Sequence, residues 1–167
     1  MAKRDLPGSS ADMEGLSPPE RRLVGQALSY WGELRGERPM PSVADLPLGA
    51  EEARAGRGLW SHLYVVALES QIGESVLSYA GRTLATACGK DLEGARAADV
   101  LPPSLWEKLS DVFQAAAAMG KPVLASGPFV TGDNRDALFR GIVMPLGDGE
   151  GDVRHLLGAF GYTYSPR

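Results

Sequence analysis

The chain has 167 residues, 44% of them apolar and 23% charged, with 17 basic and 21 acidic side chains and a formal charge of −4. That length suits one domain with an extension and excludes most multidomain enzymes. The mild acidity, with no basic stripe to offset it, excludes an electrostatic footprint for nucleic acid, and no apolar run approaches the roughly 20 residues of a membrane-spanning helix.

The single cysteine, Cys88, cannot form an intramolecular disulfide. The amino terminus has basic residues with no apolar stretch behind them, so no signal peptide is read. A cytoplasmic protein with no membrane and no nucleic-acid partner is expected.

Residues 1–16 mix Gly, Ser, Asp and Pro with isolated apolar residues and read as a disordered tail. Ser17-Pro18-Pro19-Glu20 then forms a capping box, with Ser17 as N-cap, Pro18 at the first helical position and Glu20 three residues on. Leu23, Val24, Ala27, Leu28, Trp31 and Leu34 recur at helical spacing up to a stop at Gly36. This amphipathic helix must bury its stripe, against the body of the protein or against a second copy. Leu23, Ala27, Trp31 and Leu34 are the expected contacts, and a homodimer through this helix is expected.

Residues 37–58 contain Pro39, Pro41 and Pro47 and read as a connector with one helical turn near residues 50–55. Residues 63–68 and 75–80 are short apolar runs on either side of Gln71-Ile72-Gly73 and predict an antiparallel hairpin. Helices follow at residues 82–88, ended by Gly89, and at 103–119, ended by Gly120, with a short turn at 95–101. Three strands close the chain at residues 122–130, 137–146 and 155–163, separated by turn-rich connectors. The predicted division is a tail at 1–16, a helix and connector at 17–58, and a domain at 59–164.

Strands grouped around a helical insert argue for an α+β fold with an antiparallel sheet. The strand at 137–146 is apolar on both faces, with Leu138, Ile142, Met144 and Leu146 on one and Phe139, Val143 and Pro145 on the other. A half-solvated antiparallel strand alternates, so both faces of the sheet are expected to be covered.

Chemistry-bearing motifs are sparse. Asp148-Gly149-Glu150-Gly151-Asp152 opens like a calcium loop, but the sixth and twelfth positions, where Gly and Glu are required, hold Val153 and Ala159. His62, His155 and Cys88 do not make a closed zinc site. No nucleophile elbow, phosphate loop or dinucleotide fingerprint occurs. Cys88 lies at a helix carboxyl end, where its thiol is not activated, and reads as a buried filler.

The order of two strands, a helical insert and three strands resembles a PAS domain, and in particular a bacterial single-domain PAS-like branch preceded by a helix. The residues that carry the resemblance are Tyr30-Trp31, Leu34-Arg35-Gly36, Pro41-Ser42 with Ala44-Asp45, and Leu59-Trp60-Ser61-His62-Leu63. They continue with Tyr79-Ala80-Gly81-Arg82-Thr83-Leu84, Gly89-Lys90-Asp91-Leu92-Glu93-Gly94, Gly120-Lys121-Pro122 and Val143-Met144-Pro145-Leu146. The resemblance spans roughly residues 20–163 and departs at Val43, where a basic residue is expected.

The resemblance implies a five-stranded antiparallel sheet with its helical insert between the second and third strands, and a sensory or interaction module. Such domains hold a small ligand between sheet and helices, or hold none and dimerise. Tyr79, Leu84, Trp106, Phe113, Met144 and Phe160 are the candidate walls of such a pocket, with Ala116 giving it room and Arg140 able to anchor an anionic ligand. Haem of the kind such domains carry needs a histidine on the long helix, which has none, and a flavin photosensor needs an Asn-Cys-Arg motif, where this chain has Ala87-Cys88-Gly89. No cofactor is therefore expected, beyond an unidentified small metabolite.

The expected function is non-enzymatic signalling through a protein partner or a second copy. The alternative is a small enzyme or carrier with an internal cavity on a cone-like α+β fold. Such an enzyme needs a buried ionisable group, and the sequence places no carboxylate in an apolar strand or on the apolar face of the long helix.

Overall fold

The computed structural model describes residues 17–166. The tail expected at residues 1–16 lies outside them.

The first helix, α1 (Pro18–Arg35), begins at the capping box read from the sequence. The Glu20 amide donates to Ser17 Oγ at 3.4 Å, and the Ser17 amide donates to Glu20 Oε1 at 2.8 Å. The connector carries a 3-10 turn, Val43–Asp45, and a short helix, α2 (Glu51–Ala55). Strands β1 (Leu63–Ala67) and β2 (Val76–Ala80) form the predicted hairpin. Then come α3 (Arg82–Cys88), α4 (Ala97–Val100) and α5 (Pro103–Met119). Strands β3 (Val123–Val130), β4 (Asp136–Gly147) and β5 (Val153–Tyr164) complete the chain.

The sheet is antiparallel throughout, in the order β2-β1-β5-β4-β3. The last strand is therefore the central one. It lies between β1 and β4, with Tyr64 opposite Gly158 and Gly141 opposite Phe160. A β-carbon at residue 158 would collide with the Tyr64 ring, so Gly158 makes room for that ring under the sheet.

The sheet divides the core in two. Its inner face packs against α3, α4 and α5 through Tyr64, Leu84, Leu105, Phe113, Phe139 and Phe160, among others. Its outer face packs against α1 and the connector through Val24, Ala27, Trp31, Ile142, Met144 and Leu157. β4 is thus covered on both faces from Gly141 to Gly147, where each face meets a separate apolar layer, whereas Leu138, expected on a covered face, is exposed and the first half of the strand alternates.

Beyond Val143, the last β4 residue to pair with β3, the connector takes over the open edge of β4. The Gly147 amide donates to Pro41 O at 2.7 Å, and Ser42 bridges Gly147 in parallel. Pro145 lies in this stretch; a proline lacks an amide hydrogen and is tolerated where a strand loses its neighbour.

Candidate functional site

The interior between sheet and helices is occupied by side chains. Phe139 and Phe160 stack with ring centres 5.7 Å apart, and Phe129 meets them edge-on at 5.8 and 5.9 Å. Phe113 packs between Tyr64 and Trp106 at 6.2 and 6.1 Å. Leu84 and Ala116 lie in the same cluster, fully buried. Of the residues expected to wall a pocket, Leu84, Trp106, Phe113, Ala116 and Phe160 therefore share one side of the sheet.

Tyr79, Met144 and Arg140 do not join them, and this corrects the expected wall. On β4 the inner residues are Ala137, Phe139 and Val143, so the intervening Arg140 and Met144 face outward. Tyr79 is displaced by a β-bulge. Val65 pairs with Tyr79 and Val66 with Leu77, which leaves Ser78 as an extra residue. The bulge sends Leu77 inward and Tyr79 outward despite their two-residue spacing. The Tyr79 hydroxyl lies 2.9 Å from Trp60 O and 3.0 Å from Ala53 O, and its ring meets Trp60 edge-on at 5.3 Å.

The stripe of α1 is engaged on the chain's own sheet. Ala27 and Trp31 are buried there, and Leu23 and Leu34 pack at the margin. The indole Nε1–H of Trp31 donates to Pro145 O at 2.8 Å. A homodimer built on this stripe would first require α1 to undock, because the same side chains cannot serve both contacts. Within this single chain the stripe is covered by the sheet's outer face.

At its amino-terminal end α1 leaves a cleft of about 360 Å3 against the outer face of β4 and β5. Arg140 and Gly161 form its floor, Glu20, Leu23 and Gln26 its helical wall, and His62 and Thr83 close the far side. His62 Nδ1 lies 3.1 Å from Phe160 O and 3.2 Å from Thr83 Oγ1. The carbonyl only accepts, so Nδ1 carries the proton. Arg140 donates from Nη1 to Phe139 O at 3.1 Å, and its Nε lies 3.8 Å from Glu20 Oε2. The sequence singled out Arg140 but not its neighbours, which come from α1, the start of β1 and α3. The pairing of Glu20 with Arg140 spans most of the chain, and no local motif signals it.

Elsewhere, Cys88 is buried at the end of α3, and burial pushes its thiol up to about 12. That suits the filler role. His155 is half-buried, with its Nδ1 unpartnered, and burial lowers its pKa. Asp148 accepts from the Glu150 and Asp152 amides within the turn expected at residues 147–152. Among the described residues no cluster of His, Cys, Asp and Glu is arranged to hold a metal, and no helix is long and apolar enough to cross a membrane.

A family model described as PAS domain matches residues 21–161, and the chain belongs to that family. Among solved structures, the chain is similar to a LOV protein from Rhodobacter sphaeroides, with 14% identity over 70% of this chain and 66% of that one, at a TM-score of 0.51. A light-oxygen-voltage domain studied with a flavin analogue gives 16% identity, 70% and 87% coverage, and a TM-score of 0.49. The N-terminal domain of a diguanylate cyclase with a PAS/PAC sensor from Marinobacter aquaeolei gives 17%, 59% and 93%, and 0.44. At such identities the likeness is one of fold. A comparison with curated proteins returned no match.

Proposed function

We propose that this PAS-domain protein is a non-enzymatic cytoplasmic signalling module that acts through a protein partner or a second copy of itself, with α1 as its regulated element. Residues 59–164 are the sensory unit in this reading, and residues 17–58 are its strap. The observation that carries it is the docking of α1 across the outer face of the sheet through the Trp31–Pro145 hydrogen bond. A single helix held by one apolar stripe is an element that can leave without unfolding the sheet. Its departure would expose Ile142, Met144 and Leu157, an apolar face able to receive a partner.

The side chains of the interior disfavour an enzyme. Its ionisable groups are Tyr64, Cys88 and Tyr162, and burial raises all three, so none is poised for proton transfer near neutrality. The same side chains argue against a flavin or haem. Phe129, Phe139 and Phe160 pack against one another between sheet and helices, and α5 has no histidine. Among the described residues Ser75 and Thr131, with the Tyr64 hydroxyl and the Cys88 thiol, are the buried polar groups on offer to a polar ring system.

Native-state hydrogen exchange tests the reading. The amides of α1 are expected to exchange by local opening, at least tenfold faster than those of β5. Protection of α1 equal to that of β5, lost only on global unfolding, would overturn it.

A further inference from the structure

We propose that the cleft beside the first turn of α1 binds a small organic carboxylate, anchored by Arg140. The inference does not rest on α1 being mobile, and the site lies on the opposite face of the sheet from the filled interior.

The Arg140 guanidinium is under-paired. The Arg140 side chain is about three-quarters buried, with 26% of it exposed, yet among the described residues it makes one hydrogen bond, from Nη1 to Phe139 O. Glu20 forms a long ion pair with it, Nε to Oε2 at 3.8 Å, beyond hydrogen-bond distance. The capping box explains why. Glu20 Oε1 accepts from the Ser17 amide at 2.8 Å, so the helix start holds this carboxylate away from the arginine. A largely buried guanidinium with open donors is a bidentate seat for a carboxylate, with N–H···O contacts near 2.8 Å.

The rest of the cleft suits the same ligand. Among the described residues, Arg22 and Arg140 outnumber Glu20, the one acidic side chain that lines the cleft. Thr83 contributes a hydroxyl, Gln26 an amide, and Leu23 and Gly161 an apolar floor for a short carbon chain. A volume of about 360 Å3 is at the small end of ligand sites, roughly 300–1,000 Å3. A carboxylate on Arg140 would replace the weak pairing with Glu20, so its arrival would be felt at the cap of α1.

The test is an NMR titration of the full chain with succinate, following the amides of Leu23, Gln26, Gly161 and Thr163. Saturable shifts confined to these residues are expected, with succinamide, the neutral analogue, producing none. Arg140→Gln should weaken succinate at least tenfold. Glu20→Gln preserves the capping pattern, because glutamine also serves at that position. It removes the competing charge, so succinate should bind it several-fold more tightly, which keeps the proposal falsifiable should Arg140→Gln fail to fold. Equal shifts with succinamide, no saturation, or unchanged affinity in Arg140→Gln or Glu20→Gln would overturn it. So would inorganic phosphate binding at the same amides tenfold more tightly than succinate, which would move the ligand to another class.

Discussion

The indole of Trp31 donates to the carbonyl of Pro145 across 114 residues of sequence. That bond joins the carboxyl-terminal half of α1 to the one stretch of β4 that has outrun its neighbour β3. It answers two needs at once, a buried indole N–H and a strand carbonyl at an open edge.

Replacing Trp31 with Ala removes a large apolar anchor that is 2% exposed. A loss of about 3–5 kcal/mol is expected from urea unfolding. Trp31→Phe retains an aromatic ring but leaves the Pro145 carbonyl without its donor, and should cost about 1–3 kcal/mol. A Trp31→Ala protein with an unchanged unfolding midpoint would mean that α1 contributes nothing to the fold.

At alkaline pH the interior becomes a liability. The Cys88 thiol is raised from 9.0 to about 12 by burial, with a small opposing effect of Lys90. The unfolded chain therefore releases this proton first, and the stabilisation present below pH 9 is lost as the pH rises toward 12. The urea midpoint should fall across that window, and Cys88→Ala should flatten the fall. Buried Tyr64 is raised as well and leaves a residual slope. Iodoacetamide at pH 8 should label Cys88 only in denaturant.

The acid side has the opposite sign. Burial depresses His155 below 6.5, so its neutral form belongs to the fold. Its contribution is intact above pH 6.5 and is lost as the pH falls through the lower folded value. His155→Gln should reduce the loss of stability between pH 6.5 and 4, measured as the shift in urea midpoint. An NMR titration midpoint for His155 above 6.5 would contradict the assignment.

The element order was legible in the sequence because its punctuation is strong. Ser17 and Glu20 mark the start of α1, Gly36, Gly89 and Gly120 end helices, and dense turn chemistry separates β3, β4 and β5. The strand faces were harder to read. A polar–apolar alternation assigns a face, and β4 from Gly141 onward has none because both its sides are buried there, while exposed Leu138 is as apolar as its buried neighbours. Met144 was therefore grouped with Phe160, although it lies across the sheet from it. Tyr79 fails for a different reason, since the bulge at Ser78 inverts parity and no residue type announces it. The cleft around Arg140 draws on α1, β1, α3, β4 and β5, and its geometry exists only after the chain has folded.

Ala116 decides what the interior is. It is fully buried on α5, in the same cluster as Phe113 and Phe139. If sheet and helices enclosed a ligand chamber, Ala116→Phe would fill space and fold with little loss. The aromatic packing argues for a solid interior, where the added ring must displace its neighbours. Overpacking of this kind typically costs about 1–3 kcal/mol, and a phenyl ring in place of a methyl group should reach the upper end. Succinate binding at Arg140, on the far side of the sheet, should be unchanged in the folded fraction of this variant. An Ala116→Phe protein as stable as the native chain would show that the interior has room, and a ligand seat there would regain its place beside the outer cleft.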